Sequence, residues 1–137
     1  MKKGRQDSRA MHILVVEDEQ SVAEMLCKAL ETLGNSCLWA RDAETATAML
    51  EQHPVEAVTL DLSMPGQPGL NWLERIVATR PELARSTLVI TGSHLDRDVV
   101  ERLARCGAGI LAKPFTLECL AEAVRSQIGR PSRDYAD

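Results

Sequence analysis

The stretch HILVVEDEQSVAEMLCKALETLG, residues 12–34, decides how the chain is built. His12 to Val16 carries an uninterrupted apolar run, Ile13 to Val16, too short for a helix, which suits a strand buried on both faces. Three acids, Glu17, Asp18 and Glu19, follow at once, and from Gln20 the period changes. Val22, Met25, Leu26, Ala29, Leu30 and Leu33 fall on one stripe of a helix, and Gly34-Asn35 stops it.

The same alternation continues to the other end. Ser36 to Ala40 reads as a weaker strand, and Asp42 to Gln52 as a helix opened by a capping Asp and closed at His53-Pro54. Val55 to Leu60 is the third strand, and the loop SMPGQPG, residues 63–69, leads into a helix over about Leu70 to Arg80. That helix turns Leu70, Leu73, Ile76 and Val77 inward and ends at Pro81. Thr87 to Ile90 is a fourth strand, Asp96 to Arg105 a helix ending at Cys106-Gly107, Gly109 to Ala112 a fifth strand and Thr116 to Ile128 the last helix. The last helix carries the stripe Leu117, Leu120, Ala121, Val124 and Ile128. Five strands alternating with five helices through short links imply right-handed crossovers, hence an α/β fold with one parallel sheet covered on both faces.

A chain of 137 residues, 45% hydrophobic and 26% charged, is long enough for one core and too short for two. The domain is expected over residues 11–128, with loosely ordered polar tails at 1–10 and 129–137, the latter a tail or the start of a linker. No apolar run approaches the roughly 20 residues of a membrane span, and the basic N-terminus lacks the apolar core of a signal peptide, so a cytoplasmic location is expected. The net charge of −4, with scattered Lys and Arg, argues against direct nucleic-acid binding. Cys27, Cys37, Cys106 and Cys119 form no CxxC pair and read as buried reduced thiols, while His12, His53 and His94 show no ligand spacing. With aromatics at only 3%, the core is aliphatic, and Trp39 and Trp72 read as packing or surface residues.

In open parallel sheets ligands bind beyond the carboxyl ends of the strands. There the first strand offers Glu17-Asp18-Glu19, the third Asp61, the fourth Thr91 and the fifth Lys113, while the second offers nothing comparable. Each residue alone has an ordinary reading as a helix-flanking acid, a strand hydroxyl or a solvated strand end. Together they converge on one crevice. Carboxylates about 4 Å apart repel by roughly 4 kcal/mol per pair at an effective dielectric near 20. An all-oxygen cluster with room for water and phosphate suits Mg²⁺ better than Zn²⁺ or Ca²⁺. A carboxylate can itself attack phosphorus, and the remaining groups then neutralise the phosphoryl oxygens: Lys113 as a point charge, Thr91 through its hydroxyl.

VVEDE (15–19), TLDLSMPGQPG (59–69), VITGS (89–93) and LAKPF (111–115) occur in the order and spacing of response-regulator receiver domains, which the chain resembles over about Met11 to Ile128. The resemblance implies a flavodoxin-like (βα)5 sandwich with a five-stranded parallel sheet of order 2-1-3-4-5. It implies that Asp61 is the phosphoacceptor, with Asp18 a direct Mg²⁺ ligand, Glu17 a ligand through water, and the Ser63 backbone carbonyl a third ligand; Mn²⁺ is an alternative ion. It also implies that Thr91 is the switch hydroxyl, that Lys113 binds the phosphoryl group, that Lys113-Pro114 is a cis peptide, and that Ser63 and Ser93 influence phosphate lifetime. Three residues before Lys113, where many receivers carry a switch aromatic, this chain has Ile110, a β-branched residue stiff at χ1, so the aromatic readout does not carry over.

The function so implied is a phosphoacceptor in a two-component or phosphorelay system, not an enzyme beyond self-phosphotransfer and slow self-dephosphorylation. A histidine kinase, a phosphotransfer protein or a small phosphodonor would load Asp61, biasing a surface formed by the fourth helix, fifth strand and fifth helix of this reading. The downstream output protein or domain is not named by the sequence, and phosphorylation-dependent homodimerisation is one outcome. A flavin-binding protein on the same sheet lacks its phosphate loop and ring-stacking aromatics here. An aspartate-nucleophile phosphatase needs a second acid where Ser63 stands. A receiver-like scaffold that binds partners without phosphorylation is the remaining alternative.

Overall fold

The computed structural model describes residues 10–62, 68–92 and 95–128. Its elements run β1 (His12–Val16), α1 (Gln20–Thr32), β2 (Ser36–Ala40), α2 (Ala43–Gln52), β3 (Ala57–Asp61), α3 (Pro68–Thr79), α4 (Pro81–Arg85), β4 (Thr87–Thr91), α5 (Arg97–Cys106), β5 (Gly109–Ala112) and α6 (Leu117–Gln127). The strands form one parallel sheet of order β2-β1-β3-β4-β5, the flavodoxin-like arrangement.

Side chains alternate across the sheet, so the strands feed two cores, one on each face. Leu14, Val16, Val58, Leu60 and Val89 pack with Leu50 of α2, Leu70, Trp72 and Leu73 of α3, Leu83 of α4 and Leu103 of α5. Ile13, Val15, Ala57, Leu88 and Ile90 pack on the other face with Ala23, Leu26 and Leu30 of α1 and Leu120 of α6. The helices are started by side-chain caps where the sequence offers them. Asp42 accepts from the Thr45 N–H at 2.7 Å, Asp96 from Val99 N–H at 3.0 Å and Thr116 Oγ1 from Cys119 N–H at 3.0 Å. Gly107 ends α5 at φ 81, a left-handed position that glycine adopts without strain.

Several expectations need correction. Pro81 ends α3 but also begins a helix, giving six among the described residues. Proline suits the first helical turn, and Glu82 and Arg85 lie at the favourable ends of the dipole. The inward stripe of α1 is rotated toward Ala23, Leu26 and Leu30, leaving Met25 50% exposed, and Leu117 at the start of α6 is 49% exposed. Trp72 is fully buried yet satisfied, because its Nε1 donates to Thr47 Oγ1 at 2.9 Å. All four cysteines are free thiols, but only Cys106 is buried. Cys27 and Cys37, distant in sequence, meet between α1 and β2, with Cys37 Sγ 3.9 Å from the Cys27 carbonyl. His12 and His53 are exposed; His94, residues 1–9 and residues 129–137 lie outside the described residues. No helix among the described residues is long and apolar enough to cross a membrane.

Candidate functional site

Registration of the parallel strands places the candidate residues at one edge. Val16 pairs with Leu60, so Glu17 and Asp61 emerge side by side from β1 and β3. Asp61 in turn pairs with Ile90 and Thr91 with Ala112, which brings the ends of β4 and β5 alongside. The Lys113 N–H donates to the Thr91 carbonyl at 3.0 Å, extending that ladder by one residue.

Carboxylate oxygens of Glu17, Asp18 and Asp61 lie within 4.8 Å of one another. Glu17 is 1% and Asp61 4% exposed, whereas Asp18 faces solvent. At such separations repulsion between ionised pairs is on the order of 3 kcal/mol each, so the cluster calls for a proton or a cation. Lys113 supplies one cation, its Nζ 3.8 Å from Asp61 Oδ1. Thr91 is 3% exposed at the neighbouring strand end.

The surroundings of Glu17 show what the cluster can hold. Its N–H donates to the Ala40 carbonyl at 3.0 Å, its carbonyl accepts from Trp39 Nε1 at 2.6 Å, and its Oε2 accepts from the Glu19 N–H at 3.2 Å. Oε1 is buried without a hydrogen-bond partner among the described residues. Burial first, and then the negative charge of Asp61, push the Glu17 carboxyl up to about 7, against a partial lowering by the Glu19 N–H. A buried acid with one unpartnered oxygen, facing two further carboxylates, fits a hard divalent cation that takes oxygen ligands and retains water.

Glu17, Asp18, Asp61 and Lys113 therefore come together, with Thr91 on the adjoining strand. Ser63, expected as a ligand through its carbonyl, and Ser93 lie outside the described residues. Lys113-Pro114 is cis, as the resemblance implied. Ile110 is 43% exposed on the edge strand β5. The second strand is less empty than its sequence suggests: Trp39, half-buried, reaches the site's backbone, and the Arg41 guanidinium sits 5.7 Å from the centre of its ring. Only the parallel register, which sets Trp39 beside Val15, carried a hint of that contact.

A family model described as the response regulator receiver domain matches residues 13–125. Among curated relatives, a "Probable chemotaxis protein CheY" of Rhizobium etli is 32% identical over 119 residues, covering 85% of this chain and 92% of that protein. The response regulator MprA of a Mycobacterium species is 36% identical over 127 residues, covering 90% of this chain and 53% of its own length. The chain thus spans nearly all of the first and about half of the second. Of solved structures, a response regulator from Thermotoga maritima superposes with TM-score 0.76 at 25% identity, over 89% of this chain and 100% of that one. The Vibrio cholerae chemotaxis protein CheY4 superposes with TM-score 0.76 at 21% identity, over 88% and 100%, a likeness of fold alone.

Proposed function

The chain belongs to the response regulator receiver domain family, and from that premise we propose that Asp61 accepts a phosphoryl group beside a divalent cation held by Glu17, Asp18 and the Ser63 carbonyl. The observation that carries the proposal is the meeting of three carboxylates within 4.8 Å, with the Lys113 ammonium 3.8 Å from Asp61.

Receiver domains generally bind Mg²⁺ at an acidic pocket, and the oxygen-only donor set here suits it, with Mn²⁺ as a substitute. When bound, the ion supplies positive charge against the acids and the equatorial phosphoryl oxygens. The protein's own groups do the rest. A carboxylate oxygen of Asp61 forms the new O–P bond as the donor's P–N bond, or the P–O bond of acetyl phosphate, breaks and its electron pair leaves with imidazole or acetate. Lys113 pairs with one phosphoryl oxygen and Thr91 donates its hydroxyl to another. Burial at the ends of β1 and β3 keeps Glu17 and Asp61 in place, so little is reorganised during transfer.

The donor is a sensor histidine kinase, a phosphotransfer protein or a small phosphodonor. Phosphorylation adds nearly two negative charges at the crevice, and Thr91 carries the response to the surface of α5, β5 and α6. Near-complete switching from a mostly inactive state needs a bias on the order of 5 kcal/mol. The exposed Ile110 replaces the usual aromatic on that surface. An output protein or domain, or a second copy of the chain, reads the change. Self-dephosphorylation is slow, and the working unit is residues 11–128.

Incubation with Mg²⁺ and acetyl phosphate is expected to add about 80 Da to the intact protein, while Asp61→Asn or chelation of the metal abolishes the gain. Equal labelling of the wild type and Asp61→Asn would overturn the proposal.

A further inference from the structure

Trp39 stands where the sequence promised nothing for the site, and its contact is short: Nε1 donates to the backbone carbonyl of Glu17 at 2.6 Å. Glu17 follows the last residue of β1, beyond the sheet's regular ladder, so its peptide is held by what surrounds it. Ala40 takes its N–H at 3.0 Å, Trp39 fills its carbonyl, and the Glu19 N–H occupies Oε2 at 3.2 Å. The Glu17 carboxylate so held lies in the acid cluster, and its Oε1 is buried without a hydrogen-bond partner among the described residues.

We propose that Trp39 is a positioning residue of the cation site, its indole N–H fixing the Glu17 peptide so that the carboxylate is presented to a divalent ion shared with Asp18 and Asp61. The inference rests on the cation reading above. Its physical basis is general: a partner that orients a metal ligand governs affinity without touching the metal, and losing it weakens binding by roughly 10- to 100-fold. The indole is itself held, by partial burial against the α1 side of the sheet and by the Arg41 guanidinium 5.7 Å from its ring centre. The residue before it on the same face, Cys37, packs against the same cluster.

The chain offers its own control. Its two tryptophans each donate an indole hydrogen bond, but Trp72 gives its to Thr47 Oγ1 at 2.9 Å, between α2 and α3. Trp39→Phe and Trp72→Phe therefore delete the same chemical group, one beside the acids and one elsewhere. Mg²⁺ titrated into the full chain by calorimetry should bind about tenfold more weakly to Trp39→Phe and with unchanged affinity to Trp72→Phe. In Trp72→Phe the one remaining indole N–H resonance belongs to Trp39, and it should shift as Mg²⁺ is added. This second readout needs no change at Trp39 and stands if Trp39→Phe does not fold. Wild-type affinity in Trp39→Phe, or an indole resonance unmoved while Mg²⁺ binds, overturns the inference. A wild-type protein that takes up no Mg²⁺ instead overturns the cation reading beneath it.

Discussion

Glu17 and Asp61 sit at the ends of central strands whose apolar residues are buried, whereas Lys113 follows an edge strand whose four residues alternate between half-buried and exposed. β1 and β3 have a strand on either side and helices on both faces; β5 has β4 alone as its strand neighbour, with α6 packed beside it. The acidic half of the crevice is thereby fixed by the core, at the cost of mutual repulsion, while the cationic half rests on a thinner support. The acids thus belong to the better-packed part of the fold, and displacement costs less at the edge strand.

Truncating the core beneath each half gives the largest contrast. Leu14→Ala, at a residue with no exposed surface on β1, should cost about 2–5 kcal/mol in urea unfolding. Ile110→Ala on β5, where the side chain is 43% exposed, is its small-effect counterpart.

Next in size is the pH dependence of the acidic half. Glu17 titrates near 7 in the folded protein against an ordinary 4.5, because burial, reinforced by Asp61, disfavours its charge. Between these values the folded state holds a proton that the unfolded chain has released, so stability falls as pH rises through this window and levels off above about 7. The loss in metal-free protein is up to about 3 kcal/mol, and Glu17→Gln should remove this part of the slope. A metal-free unfolding midpoint whose pH slope from 5 to 8 is the same in wild type and Glu17→Gln contradicts that cause.

A smaller effect belongs to the helix that flanks the other half. α5 is tied to α3 by Arg102, whose Nη2 and Nε approach the Glu74 carboxylate at 2.7 and 2.8 Å, with Asp98 at 3.7 Å. The guanidinium holds the Glu74 carboxyl below its usual range. Because the pair is partly exposed, Glu74→Gln should lower stability by less than about 1 kcal/mol, and less still at high salt. Ile110→Ala should fall within about 0.5 kcal/mol. A cost at Ile110 matching that at Leu14 would erase the distinction between the halves.

Much of this was legible in the chain because period and punctuation are local. The uninterrupted Ile13–Val16 run, the Asp42 and Asp96 caps and the Gly107 stop are each written within a few residues, and the strands and helices follow. The acids and Lys113 were legible as strand-end residues once the sheet was inferred to be parallel. What escaped depends on direction or distance. Met25 and Leu117 lie at the margins of helical stripes, where period alone does not say which flank the sheet covers. Pro81 both ends one helix and begins another, and the two roles look alike in sequence. The Trp39 contact joins residues 22 positions apart through a side chain, and the meeting of Cys27 with Cys37 depends on how α1 lies on β2.

The most direct test is to find where a phosphoryl group lands. Protein treated with Mg²⁺ and acetyl phosphate, trapped by borohydride reduction of the acyl phosphate and digested, should carry the modification at Asp61 alone. Modification at Asp18 or Glu17 in its place, or none at any carboxylate under conditions where Mg²⁺ is bound, would contradict the assignment of Asp61 as the acceptor.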